Sequence, residues 1–156
     1  ARVAKRVKPY INYEYLDLYV GNLYVLEGNY RTALRKLSVY QTMPTKERLE
    51  VISIASLMQI YCALALEEVS STELHLRRAV KLLKPMAEDP YLRAIRDALQ
   101  RKPPTDATDF LVLLDRLSHE FAPSFYVERV NTLLPVAALF GHAYDPEAFK
   151  KGNLAH

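Results

Sequence analysis

GNLYVLEGNYRTALRKL, residues 21–37, is the stretch on which the fold turns. Gly21 and Gly28 stand seven residues apart, with Tyr24 between them and Tyr30, Ala33 and Leu37 beyond. A small residue lets two helices approach closely, and a glycine just past a helix supplies the left-handed turn that stops it. The spacing predicts two short antiparallel helices. Gly21 is the close contact on the first and Gly28 its stop. Tyr24 and Tyr30 fill the wedge between the helices, and Ala33 and Leu37 are the small and large contacts from the second.

Prolines and capping residues divide the rest of the chain into similar units. The first helix covers about residues 12 to 27, after Pro9, and the second Tyr30 to Gln41, before Pro44. Thr45 is placed to cap a longer third helix that runs to about Glu68. Ser70 and Glu73 have the spacing of a capping box, opening a fourth helix to about Leu83, before Pro85. A fifth follows Pro90 and ends near Arg101, and KPPTD, residues 102–106, is the clearest break. Asp106 and Asp109 cap and charge the start of a sixth helix, in which Phe110, Leu113, Leu114, Leu117 and Phe121 fall at helical spacing. A seventh starts after Pro123, should kink at Pro135, and ends at Gly141. DPEAFKKG, residues 145–152, has Asp145 as cap, Pro146 in the first turn and Gly152 as stop, the pattern of a last short helix.

The expected fold is therefore all-α, with seven or eight helices in stacked antiparallel hairpins, since short connections make sequential helices neighbours. One domain accounts for residues 1–156: a basic extension over 1–9, the best-matching hairpin over 10–44, a degenerate repeat plus a helix over 45–102, and C-terminal helices over 103–152. A chain of 156 residues is enough for one real core and too short for two. Only four glycines and no Asn-Gly or Asp-Gly pair argue against an all-β fold. The longest apolar run, LEVISIASLMQIYCALAL, carries Glu50, Ser53, Ser56 and Gln59, and reads as a buried central helix rather than a membrane span.

Candidate chemistry is sparse. The single cysteine, Cys62, excludes an internal disulfide framework and a multi-cysteine zinc site, and it sits in the most apolar helix as an inert thiol. His75, His119, His142 and His156 form no HExxH arrangement, and His119 and Glu120, as helix neighbours, face different directions. No phosphate loop and no nucleophile elbow occurs. The sequence therefore assigns no catalytic residue, no metal ligand and no cofactor. What it does show is charge asymmetry. Residues 103–149 carry only Arg116 and Arg129 against Asp106, Asp109, Asp115, Glu120, Glu128, Asp145 and Glu147, while the earlier part is basic. Opposed potentials of this kind suit oriented docking. Seven of the eleven tyrosines lie in the first 40 residues, and tyrosine suits core edges and interfaces alike.

The positions Gly21, Tyr24, Gly28, Tyr30 and Ala33 resemble the tetratricopeptide repeat where that repeat is defined, and LYVLEGNYRTAL also resembles a pentatricopeptide repeat. Asp17 and Tyr40 depart from the tetratricopeptide pattern. The second unit keeps Ala79, Leu83 and Pro90 but lacks the glycine pair. The resemblance implies a short solenoid whose ligand-facing positions on the first helix would be Tyr15, Leu18, Asn22, Val25 and Leu26. Arg77, Arg78 and Lys81 on the fourth helix would be basic contacts for a partner.

Size, helix number, the degenerate hairpins and the basic start ARVAKRVK together resemble the 18-kDa accessory subunits of euglenozoan mitochondrial ATP synthase. That resemblance implies a non-catalytic protein on the α-subunits of the F1 head, in the matrix and peripheral to the inner membrane, without insertion into it. The basic start is compatible with the remnant of a removed organelle presequence, and equally with a trimmed or disordered basic start. Two other readings stay open: an organellar single-stranded RNA-binding module using the basic stripes, and a generic repeat adaptor or chaperone that takes a partner peptide.

Overall fold

In a computed structural model the described residues are 13–43, 48–122 and 124–136, and all their regular structure is helical. Among the described residues seven α-helices follow one another: α1 Tyr13–Leu26, α2 Tyr30–Leu37, α3 Leu49–Ala65, α4 Val69–Leu83, α5 Pro90–Arg101, α6 Ala107–Glu120 and α7 Phe125–Leu133. Short 3₁₀ turns follow α2 at Ser38–Gln41 and α4 at Lys84–Met86. The all-α expectation holds.

The first hairpin forms as its glycines require. Gly28 has φ +77°, its N–H reaches Val25 O at 3.0 Å, and the Asn29 N–H reaches Tyr24 O at 2.8 Å. These two bonds are a Schellman turn, which satisfies the last carbonyls of α1. At Gly21, a Cβ would lie 2.9 Å from Leu37 Cδ2, so with Leu37 in place glycine lets α2 pass this close without a clash. Ala33 and Leu37 are both fully buried, and Tyr24 and Tyr30 pack partly buried against the same core.

α3 is the centre of the molecule. Every residue from Val51 to Leu64 is buried, including Ser53, Ser56 and Gln59. A helix that is apolar on all sides needs neighbours on all sides. It packs against α1, α2, α4 and α6. Its end repeats the first turn with a different residue. Glu67 has φ +57°, its N–H reaches Leu64 O at 3.0 Å, and Glu68 N–H reaches Ala63 O at 3.1 Å.

Several local expectations are corrected. The capping box of Ser70 and Glu73 does not form, because α4 begins at Val69 with Glu68 in the cap position and no side-chain cap. The chain leaves the Glu67 turn with a single extended residue, which places Ser70 inside the first helical turn. α3 begins at Leu49 and ends at Ala65, shorter at both ends than the sequence suggests, and Thr45 lies outside the described residues. The second helix is α-helical only to Leu37 and tightens into a 3₁₀ turn at its end. α7 stops at Leu133 instead of kinking at Pro135. Leu134 is extended, at φ −103° and ψ 148°, as the residue before a proline prefers. Gly141 and the helix expected over residues 145–152 fall outside the described residues. By contrast, Asp106 caps α6 by accepting the Asp109 N–H at 2.7 Å.

The helices do not form a strictly sequential stack. α7 returns to touch α1 and α5, and α6 touches α3. In a solenoid each unit meets only its neighbours. Here the last described helix lies beside the first.

Candidate functional site

The ligand-facing positions expected on α1 divide into two sets. Tyr15, Leu18 and Val25 are buried in the core, at 7%, 0% and 4% exposure, and cannot meet a partner. Asn22 is also engaged within the chain, donating its side-chain N–H to Leu133 O at 2.8 Å on α7. Only Leu26 of this set points outward, at 64% exposure. The face is sealed by α3 and by the returning α7.

The opposite side of α1 is the exposed one. Leu16, Tyr19, Leu23 and Leu26 recur three or four residues apart, so they form one stripe along the helix. All four are about half or more exposed. The stripe reaches a cleft of about 270 Å³ between α1 and α7, where Tyr19 meets Phe125 and Arg129. Phe125 is itself 60% exposed. Sequence reasoning missed Leu16, Tyr19 and Leu23 because it placed the ligand on the repeat's inner face. The signal was present in their own spacing, which gives α1 apolar residues on two faces at once.

Arg129 anchors the floor of that cleft. Its guanidinium lies 4.6 Å from the ring centres of both Tyr15 and Phe125 and 3.5 Å from Glu50. Tyr15 donates its hydroxyl to the same Glu50. Burial, and then the adjacent Glu50 carboxylate, raise the Tyr15 pKa, so the phenol stays protonated. This is a structural clamp joining α1, α3 and α7.

The basic residues are partly consumed in the fold. Arg78 donates to Tyr40 O at 3.2 Å, closing the 3₁₀ turn after α2. Arg31 pairs with Glu68 at 3.3 Å and Arg96 with Asp97 at 3.6 Å. Arg77 and Lys81 are exposed. The three residues expected to act together therefore separate into one structural arginine and two outward cations.

Cys62 is fully buried, and burial pushes its thiol up to about 12, so it stays protonated and unreactive. His75 is a buried core histidine. His119 is exposed and pairs with Asp115 at 3.4 Å, one turn back on α6, rather than with Glu120. Among the described residues, no group of three or more His, Cys, Asp or Glu could hold a metal ion, and no helix is long and apolar enough to cross a membrane. No family model matches the chain, and no curated protein or solved structure matches it either.

Proposed function

We propose that this chain is a non-catalytic accessory subunit that docks on a larger protein through the outer face of α1. The partner we propose is the α-subunit of a mitochondrial ATP synthase F1 head, in the matrix. The observation that carries the docking is the stripe of Leu16, Tyr19, Leu23 and Leu26, each about half or more exposed among the described residues. A contiguous apolar patch on a helix is costly in water and marks an interaction surface. Aromatic and aliphatic anchors within a polar surround are also the composition of an interface centre. The choice of partner rests on the resemblance in size, hairpin character and basic start.

The test is a native pull-down from source mitochondria in moderate salt, with tagged wild-type chain and a Leu23→Asp variant. The wild type should bring F1 α- and β-subunits in near-stoichiometric amounts, and Leu23→Asp should lose them. Leu23 is 59% exposed, so the substitution leaves the core untouched. A wild-type chain that brings down RNA, or no F1 subunit at all, removes the accessory-subunit reading.

A further inference from the structure

A second surface lies on α4. Val69, Thr72, Glu73, Leu76, Arg77 and Val80 line two adjoining cavities, of about 600 and 470 Å³, that share Glu73, Leu76 and Pro103. Their spacing of three and one residues is one continuous helix face. From Val69 to Val80 it runs about 16 Å at roughly 1.5 Å per residue. The opposite wall is the end of α5, with Leu99 and Gln100, followed by the loop Pro103 to Asp106. The channel is therefore an apolar groove about three helical turns long.

Charge is distributed along it. Glu67 and Asp106 stand at one end, Glu73 in the middle and Arg77 at the other. The backbone at the acidic end is strained. Glu67 occupies the left-handed position that Gly28 fills in the equivalent turn after α1. A side chain there is strained relative to glycine, because its Cβ crowds the neighbouring carbonyl. The fold carries that strain and places a carboxylate at the mouth of the groove.

We propose that this groove binds an amphipathic helix of a protein partner. Its apolar face lies on Leu76 and Val80, its cationic end against Glu67, Glu73 and Asp106, and its anionic end against Arg77. A helix is favoured over a strand by the wall itself. Pro103 and Pro104 offer no N–H, and α4 beyond its first turn has its backbone groups bonded internally, so an extended segment would find no ladder. A helix satisfies its own backbone. This site is separate from the face of α1 and does not depend on what docks there.

The experiment uses the full chain and a fluorescent synthetic helix of about three turns, with leucines on one face, lysines in its first turn and glutamates in its last. Its twin has glutamates in both end turns, so that neither direction of the helix in the groove brings a cationic end to Glu67, Glu73 and Asp106. The twin is intrinsically the better helix, because acids favour the N-terminus, so helicity alone cannot make the first peptide bind better. Anisotropy titration should show the first peptide binding at least about tenfold more tightly than the twin. Glu73→Lys, at an exposed position, should reduce that binding by about tenfold. Glu67→Gly should raise the melting temperature and yet weaken the peptide. Failure of both peptides to bind overturns the proposal, as does equal binding of the two. So would a Glu67→Gly chain that is more stable with binding unchanged, or self-association that competes with the peptide and is abolished by Glu73→Lys, which would assign the groove to a second copy.

Discussion

At Gly21 the hairpin is decided by a single missing methyl group. A Cβ there meets Leu37 Cδ2 at 2.9 Å and Cγ at 3.1 Å, and Leu37 is fully buried, with little freedom to withdraw. Gly21→Ala gains about 1 kcal/mol of helix propensity and loses about 1–3 kcal/mol to overpacking. We expect net destabilisation in the wild-type background. With Leu37→Ala the obstruction is gone, and the same Gly21→Ala change should stabilise by about 1 kcal/mol. Urea unfolding of the four proteins measures the coupling, and simple additivity would show that the glycine is not there for close approach. His75 offers a second residue-level test. It is buried on α4 with Nδ1 lacking a hydrogen-bond partner, and burial, then Arg78, lower its pKa below the ordinary 6.5. Below that value the unfolded chain takes up a proton that the folded chain resists. Stability from this site is therefore complete above about pH 6.5 and is lost as pH falls toward the folded pKa. The melting temperature should drop between about pH 7 and about pH 5, and His75→Gln should flatten that part of the profile. An unchanged profile in the variant would assign the acid sensitivity to other groups.

At the scale of elements, what could be read from the sequence was what local chemistry determines. Gly28 and Asp106 act at their own positions, as a stop and a cap, so the hairpin of α1 and α2 and the start of α6 follow directly. The run from Val51 to Leu64 announced a buried helix because no face of it is polar. The failures occur where a neighbour overrides the local signal. Ser70 and Glu73 have the right spacing for a cap, but the Schellman turn at Glu67 fixes where α4 must start. That turn is not legible in the sequence because glutamate stands where glycine is usual, although its geometry matches the turn at Gly28. The inner face of α1 reads equally as a binding surface or as a face sealed by a neighbouring hairpin, for a similar reason. Tyr15, Leu18 and Val25 have the composition of an interface, and that is also the composition of a core. Nothing in their spacing reveals that α7, more than a hundred residues away in sequence, returns to cover them.

At the scale of the molecule, that return is what distinguishes this chain from an open stack. In a stack, hairpins that meet only their neighbours can melt from one end. Here α7 is tied to α1 by Asn22 and, through Arg129, to both Tyr15 of α1 and Glu50 of α3. Ser124, which caps α7, also donates to Asp89, the cap of α5, at 2.8 Å. The last described helix thus bridges the first, the third and the fifth. We expect the wild type to unfold in one transition, with helical circular dichroism and tyrosine fluorescence coinciding. Arg129→Ala removes two ring contacts and the cationic partner of Glu50, which keeps its hydrogen bond from Tyr15, and should cost about 1–2 kcal/mol. Its sharper consequence is loss of coupling. Amide exchange in residues 125–133 should accelerate well before exchange in α3 and α4, because the clamp and not the core holds α7 in place. Uniform acceleration across all helices would mean that α7 and the core open together whether or not Arg129 is present. If the wild type instead melted in steps beginning at α1, the chain would be behaving as a solenoid, and the contacts of α7 would contribute little to holding its two ends together.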